Sequence, residues 1–416
     1  MLKMIPVRQK FAPTRPIDLV ATLQREFRPA VKPGARIAVG VGSRGISNLS
    51  AVVAGVIGIL KSAGATPFIV PAMGSHGGAT PEGQTGLLAE YGVTEAAMGV
   101  PIRAAMDTVV LGKTEDGVAV HFCREALDSD GIVVINRVKP HTDFGAPLGS
   151  GILKMIAIGL GKQAGAASYH AAASRLGMER IIRTVAQIVL PKVPILAGIA
   201  LIEDGHHQTA KLAVLPPTGI VAREEELQAE ALALLPRLPF SDIDLLVVDR
   251  IGKNITGAGM DPNVTGRGVH GYSSRLSDRS ANPVIRRIFV RDLTPESHGN
   301  AIGIGMADFT TARLIRSIDH AVTAMNTFTA LSINSFKLPF GFENDREAIR
   351  TALGTIPLPE GERHRVVRIQ DTLSLEKLEV SDIYAEELRR RTDLETLGPA
   401  RDLAFDASGN LTPLGT

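Results

Sequence analysis

The chain has no tryptophan, and aromatic residues make up only 4% of its 416 positions. A surface built to stack nucleic-acid bases usually carries more. There is a single cysteine, Cys123, which excludes an internal disulfide and any cluster held by four thiolates. No apolar run approaches the roughly 18 residues that a membrane-spanning helix needs; stretches such as Ala51–Leu60 and Val193–Ile202 fall well short. The opening segment MLKMIPVRQKFAPTRP is basic but has no apolar core, so no secretory signal is expected. Charge of one sign is also lacking: 45 Lys and Arg stand against 43 Asp and Glu, a formal net charge of +2. Without a long basic run, neither nucleic acid nor a membrane surface is an expected partner. A soluble, cytoplasmic protein follows as the expectation.

Glycine is abundant instead. It supplies 42 of the 416 residues, about a tenth against an average near 7%, and it follows no fixed period, so it points to tight turns and close backbone approaches. Hydrophobic residues at 44% and charged residues at 21% are ordinary globular usage. The length suggests two or three domains.

Short apolar runs alternate with helical patterns. Arg36–Val41, Pro67–Val70, Gly131–Asn136, Pro194–Ile202 and Lys211–Leu215 read as strands. Helices are expected over Ile46–Ser62, over Thr80–Tyr91 with Thr80 as N-cap, over Arg175–Leu190 and over the charged stretch Glu224–Leu235. The alternation predicts an α/β fold with mainly parallel sheets. RLPFSD at 237–242 resembles a hinge, which gives an N-terminal α/β domain over 1–240 and a C-terminal one over 241–416. Ile243–Val248, Ile285–Leu293 and Val366–Gln370 read as strands of the latter and Met306–Thr323 as a helix; the tail from about 386 has no clear place.

Ligands of open α/β sheets bind beyond the carboxyl ends of the strands. The loops there hold Arg44, His76, Lys139 and His141. GVGSRG at 40–45 matches a dinucleotide-binding pattern through Gly40, Gly42 and Gly45, yet no Asp or Glu occurs from Ile46 to Pro81, where the ribose contact belongs. The turn still suits an anion, with Arg44 as a fork for a carboxylate; an ordinary surface arginine would look the same. His76, set among glycines in GSHGG, is open to a ligand. The run 136–170 carries Gly149 and Gly151, then Lys154, then His170. Its Gly-rich loop suggests a phosphate cradle but is not a P-loop, and its histidines fit no zinc spacing. A second Gly-rich loop, DRIGKNITGAGMDPNVTGR, opens the C-terminal domain and offers Lys253 as an anion contact.

Taken in order, Arg44 in its strand-end turn, Gly-x-His76, Lys-Pro-His141, and Lys154 with His170 sixteen residues on resemble the nickel-pincer lactate racemases. The resemblance implies two α/β domains with the active site in the cleft between them. It implies a nickel-pincer cofactor, pyridinium-3,5-bisthiocarboxylic acid mononucleotide, held covalently through Lys154 and cradled by Gly149 and Gly151, with His170 as the protein's ligand to nickel. His76 and His141 would be the acid/base pair, Arg44 and Lys253 the substrate-binding residues. The implied reaction is racemisation or epimerisation of a 2-hydroxy acid through hydride transfer and a 2-keto acid. The implied partners are that small molecule and the pincer-maturation enzymes; a homo-oligomer is compatible with it. The chain departs from the family in having Val41 where an acidic residue is usual, Gly-Ser-Gly-Ile-Leu-Lys as the run that ends at Lys154, and no tryptophan. These departures leave the identity of the 2-hydroxy acid open. Two alternatives stand beside it: a nicotinamide-dependent oxidoreductase using the 40–45 turn, and a non-catalytic small-anion binding protein.

Overall fold

The computed structural model describes residues 2–42, 45–142, 144, 147–268 and 283–414. The fold is mixed α/β with mostly parallel strands. It divides into two compact units, Ala12–Leu235 and Met1–Phe11 with Pro236–Thr416. The opening strand β1 (Lys3–Gln9) therefore corrects the expected 1–240 domain. Its residues pair antiparallel with a strand near the other end of the chain, Met4 opposite Ser381 and Val7 opposite Leu378, and Val7 is wholly buried in that unit's core.

The Ala12–Leu235 unit is built on β2 (Arg36–Val41), β3 (Thr66–Pro71), a hairpin of β4 (Thr108–Lys113) and β5 (Ala119–Cys123), and then β6 (Gly131–Arg137), β7 (Ile195–Glu203) and β8 (Thr209–Leu215). Its main sheet runs β3-β2-β6-β7-β8, parallel except for β8. The strands are continuous apolar runs because both sheet faces are covered: Ala38, Val39, Val133 and Val134 are all fully buried. Register places Val41 opposite both Pro71 and Ile135, so three loops leave one sheet edge at the same level.

Five helices matter here: α1 (Leu49–Ser62), α2 (Pro81–Glu90), α3 (Lys162–Leu176), α4 (Met178–Val189) and α5 (Ile220–Leu234). Thr80 caps α2 by accepting the N–H of Gly83. The helix expected over 175–190 is instead two, split at Gly177, whose φ of +81° only glycine adopts readily.

In the second unit β9 (Asp242–Ile251), β10 (Val284–Leu293), β11 (Phe309–Thr311), β12 (Phe340–Phe342) and β13 (Val366–Asp371) are parallel, and β14 (Ser374–Ser381), β1 and β15 (Leu394–Thr396) continue antiparallel. Alternation sorts the side chains: Leu246, Val248, Ile288 and Val290 enter one core, Leu245, Val247 and Phe289 the other. The expected 306–323 helix gives way to β11 followed by α6 (Ala312–Ser317) and α7 (His320–Thr329). Thr311 and Asp319 each accept a backbone N–H and start separate helices. In the tail from 386, β15 and β16 (Arg401–Asp402) pair with β1.

Candidate functional site

The three loops that leave the β2, β3 and β6 edge meet on one short segment, Gly151–Gly159. Its first turn is Ile152–Lys154, and Met155–Gly159 continue as a π-helical turn, a wide geometry that recurs at functional sites. Lys154 and Met155 are half-buried between buried neighbours.

The β2 loop arrives through Gly42. A Cβ there would lie 2.7 Å from Asn136 Oδ1 and 3.4 Å from Met155 Sδ, so glycine is needed to let Asn136 in. The loop's far side is tied by Ser47, whose N–H donates to Glu203 Oε1 at 2.7 Å, while the other Glu203 oxygen pairs with Arg137. Arg44 lies outside the described residues.

The β3 loop arrives through Gly74, at φ +59°. Its N–H donates to the Gly159 carbonyl at 3.0 Å, and a Cβ on it would lie 3.2 Å from the Ile158 carbonyl oxygen and 3.6 Å from Ala166 Cβ. Gln84, buried on α2, donates to the carbonyls of Gly74 at 3.0 Å and His76 at 3.2 Å. His76 stands at the exposed tip of this anchored loop. Ala166 precedes His170 by one helical turn, so the face of α3 that carries His170 is the one the β3 loop packs on. His170 is half-buried.

The β6 loop closes on itself. Lys139 and Ser150 exchange both backbone hydrogen bonds, at 2.8 and 2.9 Å. His141 lies within the loop and stacks on buried Phe144, with ring centroids 4.3 Å apart and planes 22° apart. The loop's return strand leads directly into Gly151 and Lys154. The structure thus gathers the segments bearing His76, His141, Lys154 and His170. Lys253 belongs to the other unit, where its N–H donates to Ser297 Oγ at 3.0 Å and its Nζ to the Gly257 carbonyl at 3.2 Å.

Gly149 and Gly151 are both buried and are pressed by α5. A Cβ on Gly149 would lie 2.5 Å from Gln228 Nε2, and one on Gly151 would overlap Glu224 Oε1. The amides that follow, of Ile152 and Leu153, donate to the Glu224 carboxylate, Leu153 at 2.9 Å. A protein carboxylate therefore takes the place that the cradle expectation gave to a phosphate. Burial pushes the Glu224 carboxyl up to about 7, against the two amides that favour its charge.

Nearby, Lys162 is fully buried at φ +55°, and its Nζ donates to the Pro71 carbonyl at 2.9 Å. It ties the end of β3 to the start of α3. Burial lowers its pKa and raises that of neighbouring Cys123.

Asn136, Gln84, Glu203, Glu224 and Gln228 are supports that the sequence reading did not single out. Asn136 alone had a signal, a polar residue closing an apolar strand; Glu224 stood only as the first residue of an expected charged helix.

A protein-family model, Domain of unknown function (DUF362), matches residues 31–231. This span includes His76, His141, Lys154 and His170. No curated protein matches the chain. Among solved structures, the lactate racemase apoprotein from Thermoanaerobacterium thermosaccharolyticum aligns with a TM-score of 0.51 at 13% identity, covering 89% of this chain and 93% of that one. The chain has a lactate-racemase-like fold.

The donor chemistry fits a pincer-type group. A primary amine on a fixed turn suits covalent attachment, and one imidazole on the adjoining helix suits nickel. Among the described residues no three His, Cys, Asp or Glu side chains gather as a metal cage.

Proposed function

We propose that this chain is a 2-hydroxy-acid racemase or epimerase that carries a nickel-pincer cofactor on Lys154. The observation that carries the reading is the convergence of the three strand-end loops on the Lys154 turn within a lactate-racemase-like fold. Lys154 would hold the cofactor through a thioamide bond to its Nζ, and His170 would supply an imidazole nitrogen to nickel. When bound, the group would supply a hydride acceptor for the chemistry at the substrate α-carbon.

The chain's own residues handle protons and orientation. A racemase accepts either enantiomer, so it needs a base for each. His76 and His141 lie on two different loops at one sheet edge, and each would take the hydroxyl proton of one enantiomer while the other histidine donates a proton to the ketone oxygen as the opposite enantiomer forms. Imidazole does this near neutral pH. The Phe144 ring would hold the His141 plane by stacking. Arg44, placed by sequence in the β2 loop, would bind the substrate carboxylate.

Intact mass and nickel content test the reading after co-expression with pincer-maturation enzymes, on wild type and Lys154→Ala. A cofactor-sized mass increment with nickel, both lost in the variant, supports it. An unmodified, nickel-free wild type overturns it when a lactate racemase loads in the same host.

A further inference from the structure

Glu224 is a costly residue where it stands. It is 1% exposed, and among the described residues no lysine or arginine pairs with it. A buried carboxylate held only by backbone amides is expensive. Capping a short turn does not require one, since a Ser, Thr, Asp or Asn at the cap position does so at the surface. The expense falls on one place: the amides of Ile152 and Leu153, the two residues immediately before Lys154.

The opposite side of the same turn is also held. Asn136 Nδ2 donates to the Gly151 carbonyl at 3.1 Å and to the Arg137 carbonyl at 3.1 Å. One helical turn beyond Glu224, Gln228 fills the space beside Gly149. Glycine at 149 and 151 is what lets α5 come this close. The carbonyl of Gly151 is therefore fixed from β6 and the next two N–H groups from α5, leaving the turn little freedom.

We infer that Glu224 is a positioning residue that sets the direction in which the Lys154 amine is presented. This rests on the reading of Lys154 as the attachment point. It extends that reading to α5, which supplies none of the expected site residues.

The test uses the full unloaded chain. Acetylation of Lys154 by an N-hydroxysuccinimide ester is followed by peptide mass spectrometry and expressed relative to Lys192 and Lys211. Amide exchange over 150–156 is measured alongside. Glu224→Gln keeps the volume but offers one acceptor oxygen in place of the carboxylate's two, and no charge. In Glu224→Gln the Lys154 ratio is expected to rise several-fold, and exchange at 152 and 153 to speed up about tenfold, the effect of losing one hydrogen bond to a charged group. Glu224→Ala is expected to show larger changes of the same sign. A purely structural Glu224 would lower the melting temperature and leave the Lys154 ratio alone. A wild-type ratio in both folded variants overturns the inference; if Glu224→Ala does not fold, Glu224→Gln decides. Acetylation does not involve the cofactor, so failure here and failure of the loading experiment are separate results.

Discussion

Lys139 and Ser150 face each other as an isolated antiparallel pair and exchange both backbone hydrogen bonds. This pair closes the loop that carries His141 and delivers the chain to the Lys154 turn. Ser150→Pro removes one donor and restricts the backbone. Under the proposed reaction, turnover is expected to fall by about a hundredfold, the effect of a displacement near 1 Å at a reacting group. Cofactor loading, measured by intact mass, should persist.

His76 and His141 are expected to be needed together. Replacing either with alanine removes the base for one enantiomer and the acid for the other. Racemisation followed by polarimetry should fall about 10²- to 10⁴-fold in each direction. Nickel content should be unchanged, because neither histidine is placed at the metal. A variant that racemises normally would remove that histidine from the site.

Glu224 gives a pH dependence with a definite sign. Its carboxyl stands at about 7 in the folded chain and at an ordinary 4.5 outside it, so the folded state holds its proton more tightly. The stability this confers is present in full below 4.5 and is lost as pH rises through about 7. The loss is on the order of 3 kcal/mol. Urea unfolding at a series of pH values should show stability falling across this window in wild type and a flatter profile in Glu224→Gln. An unchanged profile would mean the carboxyl titrates normally.

In the second unit Asp345 is fully buried. It accepts from Arg291 and Arg313, at 2.7 and 2.8 Å, and from the N–H of Leu411 at 2.8 Å. Asp345→Ala leaves two guanidinium groups short of a partner and should cost about 3–5 kcal/mol. The Leu411 amide should exchange faster in the same variant. If both stay at wild-type values, the tail is held by Arg368 and Thr412 instead.

The strands and the loops that carry the candidate residues were legible in the sequence as far as local chemistry reaches. Apolar runs such as GIVVIN announced strands, and the loops after them announced His76 and His141, because parallel strands put their carboxyl-end loops on one edge. Thr80 announced the start of α2. Where local signals compete, reading by period failed. The 306–323 stretch has helical spacing, yet Thr311 and Asp319 each accept a backbone N–H and break it into pieces.

The sequence by itself determined an α/β chain with polar and Gly-rich strand-end loops and one lysine followed sixteen residues on by a histidine. Those are properties of neighbours along the chain. Tertiary structure decided what depends on residues far apart. It placed β1 beside β14, because an apolar strand pairs wherever an open edge and a core are offered. It also turned Glu224 inward, because Gly149 and Gly151, more than seventy positions earlier, carry no side chain to keep α5 away. Burial of a charged residue is set by what packs against it, and the charge pattern of its own helix does not carry that information.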